Sequence, residues 1–272
     1  MNEKTMHELR KIGFYTFIFI VIIWMGVPLL VSTLYAFGVP DEYYNPHRII
    51  PFHFTLKTIK MLLFTLGGWN ALKNSVIVAT LAIIISFALG LPAGYSIARF
   101  IFPGKDTIKL GMLALKIFPV PIMAVPLVML YIRLHLIDTR LGVALAHSAG
   151  ALPLVVLITA SIFAGTSAEL EEAGMVFGLT RFQSFLKITL PLALPGLAAA
   201  AMFTFVGSWN EVFAASVLTF SHRTLPALML TLMQTAPDYY KFAAAFIMAF
   251  PAMIYVAVAR KYLISMWGIA LK

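Results

Sequence analysis

Six stretches of this sequence stay apolar for longer than a soluble core element needs, and that property limits the fold more than any other. They are residues 12–40, 74–98, 110–132, 141–168, 195–220 and 242–259. A helix must be about 20 residues long to cross the hydrocarbon of a bilayer. Ala, Leu, Ile, Phe and Met dominate the stretches, without the dyad alternation of a membrane barrel. Open sheet edges do not persist in lipid, because their backbone groups would lack partners. The expectation is an all-α integral membrane protein of six transmembrane helices. Composition agrees: 61% of residues are hydrophobic and 11% charged, well under the roughly 25% charged of soluble domains.

The first stretch follows Lys4, Arg10 and Lys11, but it is too long for a signal-peptide core and has no clear cleavage pattern, so it is read as an anchor. The net charge of +9 comes from Lys and Arg dispersed between apolar runs, which reads as interfacial anchoring and not nucleic-acid binding. The chain has no cysteine, so disulfides and thiolate metal sites are excluded. With the N-terminus inside, the inner segments hold Lys4, Arg10, Lys11, Arg99, Lys105, Lys109, Arg181, Lys187, Arg260, Lys261 and Lys272; the outer ones hold Arg48, Lys57, Lys60, Lys73, Arg133, Arg140, Arg223 and Lys241. That excess favours both termini on the cytoplasmic side. Pro119, Pro121 and Pro126 crowd the third stretch and predict a bent helix that lines a pathway.

The segment 166–191, between the fourth and fifth stretches, is polar and patterned. Thr166-x-x-Glu169 has the form of a capping box, with Glu169, Glu171 and Glu172 in the first turns of the helix it would start. Gly178 supplies a left-handed stop. Thr180-x-x-Gln183 opens a second short helix expected to end by Pro191. On the first helix Leu170, Ala173, Gly174 and Phe177 share a face at i, i+3, i+4 and i+7, which predicts a docking stripe.

This segment resembles the EAA loop of permeases of ABC importers: Glu172-Ala173-Gly174, then Gly178, then nine residues, then Ile188-Thr189-Leu190-Pro191. Gly174 stands where the family has Ala, and Phe177 where Asp is common. Leu91-Pro-Ala-Gly-Tyr-Ser-Ile-Ala-Arg99, Ile117-Phe-Pro119, Leu136-Ile-Asp-Thr139, Ser208-Trp-Asn-Glu211 and Arg223-Thr-Leu-Pro226 are similar to carbohydrate-type members, over a core of about 70–262. The likeness is to the shorter, MalG-like partner of maltose-type importers.

That resemblance implies a MetI-like (type I importer) fold with a cytoplasmic coupling helix in one permease domain, 1–272. It implies ATPase coupling through Glu171, Glu172, Ala173, Gly174, Phe177, Gly178 and Pro191. Its implied partners are a second, MalF-like permease, two copies of an ABC ATPase that use ATP and Mg, and an extracytoplasmic solute-binding protein, all at the inner membrane. No G-x-x-x-x-G-K-[ST] phosphate loop occurs, so this chain is expected to hold no cofactor and no metal, and to carry no catalytic residue.

Lys116, Trp209, Asn210 and Glu211 are candidates for the solute path. Each has a plainer reading: Lys116 snorkelling to the inner surface, Glu211 and Asn210 as interhelical hydrogen-bond glue, Trp209 as packing. His147 and Ser148 read as satisfied bundle groups. The segment 41–73 is expected outside, helical over 55–66, in contact with a binding protein or the partner permease. The solute expected is a di- or oligosaccharide; a polyol or glycerol phosphate is the alternative. A stand-alone proton-coupled transporter using Glu211 would need an internal repeat and further intramembrane carboxylates, and neither is seen.

Overall fold

The computed structural model describes residues 3–45 and 50–266. They divide into two compact units, one of the described residues up to Gly67 with Leu232–Ala249, the other of Gly68–Thr231 with the described residues from Phe250 on. Arg48 and residues 267–272, which include most of the C-terminal tail, lie outside the described residues.

The first unit begins with α1 (Glu3–Phe37). Its membrane-length part, Arg10–Phe37, has mean hydropathy 2.5. After α1 the chain makes α2 (Pro40–Tyr43), then α3 (Lys57–Lys60) running into one π turn, Met61–Thr65. The helical character expected over 55–66 is therefore found. Glu42 ties this segment together: its carboxylate accepts from the backbone N–H of Phe52 (2.7 Å) and His53 (3.0 Å) and meets His53 Nδ1 at 2.7 Å. Hydrogen bonds from His53 hold that carboxyl down at about 2.

The second unit is built on α4 (Gly68–Arg99), followed by α5 (Lys105–Leu115), a 3₁₀ turn (Val120–Met123), α6 (Ala124–Arg133) and α7 (Arg140–Gly165). α4 and α7 pack side by side. Close approach is set by Gly90 and Gly94, one turn apart on α4: a Cβ at Gly90 would stand 2.7 Å from Val155 Cγ1, and one at Gly94 would meet Thr159 and Ala160. Small residues at this spacing let backbones approach within reach of a hydrogen bond, and Thr159 Oγ1 donates to Gly90 O at 3.2 Å.

The chain continues through α8 (Ala168–Val176), α9 (Arg181–Ser184), a π turn (Phe185–Thr189) and α10 (Leu190–Trp209). α10 lies on both α4 and α7 with a face of Ala193, Gly196, Ala199 and Ala200. Then come α11 (Phe213–Leu218), α12 (Leu225–Thr235) and α13 (Asp238–Met266).

Among the described residues, five helices are long and apolar enough to cross a membrane: Arg10–Phe37, Gly68–Arg99, Arg140–Gly165, Arg181–Trp209 and Asp238–Ala257. The third expected stretch is not one helix but two, α5 and α6. Pro119 and Pro121 withhold two backbone donors within three residues, so the helix cannot run through them. The fifth stretch also differs. It starts earlier, at Arg181, because the π turn carries α9 into α10, so the expected stop before Pro191 does not occur. It ends at Trp209 and not at Phe220, and a new helix starts after it: Glu211, one residue before the N-cap Val212, accepts from the backbone N–H of Ala214 (2.9 Å) and Ala215 (3.2 Å) in the first turn of that helix.

Candidate functional site

The segment 166–191 forms a helix, a tight reversal and a second helix, all folded around one carboxylate. The first expected capping box is absent: Ser167 is the N-cap of α8, and Thr166 instead closes α7, its hydroxyl donating to Ile162 O at 3.1 Å. At the other end α8 stops as Gly178 predicts. Gly178 has φ of +90°, its N–H bonds Met175 O at 3.0 Å, and Leu179 N–H reaches Gly174 O at 3.1 Å. This is the paired-bond stop that needs a left-handed residue. The second capping box is complete, with Thr180 and Gln183 each bonding the other's backbone N–H.

Glu171 is the hub. It is only 4% exposed, and its carboxylate accepts from the Tyr95 hydroxyl, from Arg99 Nε (3.1 Å) and from Thr189 Oγ1 (3.0 Å). Arg99 also donates from Nη2 to Thr166 O at 3.0 Å, and Ser184 Oγ donates to Glu171 O at 2.8 Å. Burial pushes the carboxyl up, but the bonds from Tyr95, Thr189 and Arg99 outweigh it and hold it below the usual range. The end of α4, α8 and the return helix are thereby pinned to one group.

The expected docking stripe is redrawn by this packing. Gly174 faces inward with Glu171; a Cβ there would stand 2.5 Å from Ile188 Cδ1 and 2.9 Å from Ser184 Oγ. The outer surface is formed by Leu170, Ala173, Val176 and Phe177, with Phe177 89% exposed. Glu172 and Gly178 are exposed, and Pro191 lies in the first turn of α10.

A second polar group lies between α7 and α10. His147 Nε2 meets Glu211 Oε2 at 3.0 Å, and His147 Nδ1 meets Ser208 Oγ at 2.7 Å. A carboxylate only accepts, so Nε2 carries the proton and, in the neutral ring, Nδ1 accepts from Ser208. These side chains line a cavity of about 270 Å³ with Lys116, Gly150, Thr204, Gly207 and Phe203. Lys116, exposed at the cavity, donates from Nζ to Gly150 O at 2.6 Å.

Trp209 and Asn210 do not join this group. Trp209 is 1% exposed and stacks on Phe205 (centroids 5.5 Å apart), which stacks on Tyr255. Asn210, at the end of α10, does not line the cavity. Helix phase turns Trp209 about 100° from Ser208, and Asn210 and Glu211 lie beyond the end of α10. Ser148 is a satisfied bundle group, donating to Leu145 O at 2.9 Å, whereas His147 is both satisfied and cavity-lining.

Sequence reasoning missed the roles of Tyr95, Arg99 and Thr189. The signal was present in two ionisable side chains four residues apart, on one face, at the end of an otherwise apolar helix.

Asp138 organises the far end of the same unit. Its Oδ1 accepts from the backbone N–H of Phe220 (2.8 Å), Ser221 (2.9 Å) and His222 (2.9 Å), and its own N–H bonds Leu218 O at 2.8 Å. Nearby, Asn74 accepts from Arg140 Nε at 2.8 Å and donates to Arg223 O at 3.0 Å.

Residues 90–265 match the family described as binding-protein-dependent transport system inner membrane component. The chain belongs to that family. It is therefore a multi-pass inner-membrane permease subunit, a part of a transport system and not itself catalytic.

Among relatives of this permease, an inner membrane ABC transporter permease protein, YcjP, of Escherichia coli (strain K12) is 28% identical over 97% of this chain and 96% of its own. The diacetylchitobiose uptake system permease protein NgcG of Streptomyces coelicolor is 33% identical over 68% of this chain and 61% of its own. The trehalose transport system permease protein SugB of Mycobacterium tuberculosis is 29% identical over 72% of this chain and 74% of its own. In fold the permease is similar to a chain of a bacterial ABC transporter involved in the import of the acidic polysaccharide alginate. The TM-score is 0.76 at 17% identity, over 96% of this chain and 98% of that one.

Proposed function

We propose that this permease imports a sugar, a di- or oligosaccharide, by alternating access, with the work done by separate ATPase subunits docked on α8. The observation that carries the reading is the build of the 166–191 loop. Its outer face is bare and apolar at Val176 and Phe177 while its inner face is fixed to α4 and α10 through Glu171. A rigid element that presents an uncovered surface can pass a partner's displacement into the bundle, provided that the partner binds its two states differently.

In this reading the loop and both termini face the cytoplasm. Glu172, Ala173, Phe177 and Gly178 form the contact and its turn, while Glu171 and Gly174 brace it. Two ABC ATPases use ATP and Mg, a MalF-like second permease completes the path, and a binding protein delivers the solute from outside. The names of the chitobiose and trehalose relatives support the sugar class. Polyols and glycerol phosphate are the competing solutes.

The test is ATPase activity of the co-expressed assembly in lipid, with and without solute-loaded binding proteins. Gly178→Asp and Glu172→Lys are expected to abolish stimulation. Solute movement without an ATPase partner, unaffected by either change, would sink the reading and return attention to a proton-coupled Glu211.

A further inference from the structure

Ionisable side chains within a membrane bundle are costly and are kept where they have partners or work to do. Lys116, His147 and Glu211 come from three separate segments and open onto one cavity. Their internal bonds do not exhaust them. Glu211 accepts from Ala214 on Oε1, and from Ala215 and His147 on Oε2, which leaves an accepting position on Oε1. Lys116 uses one N–H on Gly150 O and has two more. The cavity thus offers an acceptor and a donor, each fixed in place by a backbone group.

The remaining walls suit a ring with C–H faces. Phe203 is 58% exposed, and Ala146, Ala151 and Ala200 are small. At Gly150 and Gly207 a Cβ would meet nothing within 4 Å, so both leave open space on the cavity side. At about 270 Å³ the cavity lies just below the usual range of ligand sites, which runs from about 300 Å³ upward.

We infer that this cavity is a solute subsite for one uncharged sugar ring, with hydroxyls bridging Glu211 and Lys116 and an apolar face against Phe203. The inference rests on the import reading above and narrows it. A hydroxyl both donates and accepts, so it satisfies carboxylate and ammonium together. The charged oxygens of a phosphate or of a uronate carboxylate only accept, so they cannot take the donor that Glu211 calls for and would stand against its charge. The subsite therefore disfavours glycerol phosphate and acidic sugar rings. One ring fills the cavity, so the rest of a longer solute must lie on other surfaces of the path.

The experiment is uptake by the co-expressed assembly in proteoliposomes, with trehalose and diacetylchitobiose as neutral probes and glycerol phosphate and an alginate oligosaccharide as anionic ones. The unmodified assembly should take up a neutral probe and no anion. Gly207→Leu, whose Cβ would meet nothing within 4 Å and whose side chain would take up cavity space, should lower that uptake by about ten-fold or more, and Glu211→Gln should do the same, the loss expected when a charge-assisted hydrogen bond is removed. Gly111→Leu, in open space on α5 and away from the cavity, should change nothing.

Assembly is checked by co-purification and by the thermal midpoint. Loss of the partner permease from Gly207→Leu would make the cavity a subunit seam and overturn the inference. Uptake of an anion in preference, or of none of the four probes, overturns it too. If Gly178→Asp abolishes ATPase stimulation while Gly207→Leu leaves uptake intact, the subsite falls alone. If neither matters and no ATPase partner is needed, the import reading falls with it.

Discussion

Two carboxylates organise opposite ends of the α4–α7–α10 bundle, and they do so with different partners. Asp138 precedes α7 and Glu171 follows it, so about 39 Å of helix separates the two ends. Asp138 collects backbone N–H groups from a single turn, 220–222. Glu171 collects side chains, Tyr95 and Arg99 from α4 and Thr189 from the return helix. A hub made mainly of backbone donors, with His222 Nδ1 at 3.5 Å from the other oxygen, is weakened chiefly through the carboxylate itself, and it fixes the shape of one loop. A hub of side chains joins separate elements and can be taken apart one residue at a time. The second kind suits the coupling role proposed for the 166–191 loop, because it ties several helices to one point.

The largest effect should come from Arg99→Ala, which leaves Glu171 buried without its cation. Breaking a buried pair from one side costs about 3–5 kcal/mol. Faster amide hydrogen exchange is expected over 168–189, with the 218–225 loop unchanged. Equal loosening at both ends would show that the hubs are not independent. Tyr95→Phe removes one hydrogen bond to a charged group and should cost about 1.5–3 kcal/mol in thermal unfolding, again confined to the Glu171 end.

Acid sharpens the contrast from the other side. Burial raises the Asp138 carboxyl, but the N–H groups of His222, Phe220 and Ser221 outweigh it and hold it at about 2, below the ordinary 3.8. A depressed carboxyl stabilises the fold fully above the unfolded value, about pH 4, and that contribution is lost as pH falls through about 2. Exchange at 219–222 should therefore rise on acidification through that window. Asp138→Asn keeps an accepting oxygen and should cost only about 1 kcal/mol at neutral pH while removing the acid step; an acid step that persists in the variant would assign it to another group.

The smallest effect is expected at Gly174→Ala. The new methyl meets the end of the Ile188 side chain, which can turn aside, and stands 2.9 Å from Ser184 Oγ, which needs only a small shift that keeps its bond to Glu171 O, so the midpoint should move by less than that of Tyr95→Phe. A large loss would mean that α8 cannot shift at all against the return helix.

Much of this permease is legible in its sequence. Run length alone determined a helical membrane bundle, because a bilayer accepts few other structures. Local chemistry determined the Gly178 reversal and the Thr180–Gln183 cap, because both depend on residues at most five apart. Pro119 and Pro121 marked the weak point of the third stretch, although a bend was expected and a break was found. The first capping box failed because Thr166 had a competing acceptor in the turn behind it, Ile162 O.

Tertiary structure decided what depends on direction. Glu171 and Glu172 are neighbours in sequence, yet one is a buried hub and the other is exposed. Trp209 and Glu211 are two residues apart, yet one packs on Phe205 and the other opens on the cavity. Helical phase assigns each side chain to a face, but which face meets α4, which meets the cavity and which stays bare is fixed by the packing of helices distant in sequence. Hydrophobic pattern carries little of that information here, because in a membrane protein both the buried and the lipid-facing sides of a helix are apolar.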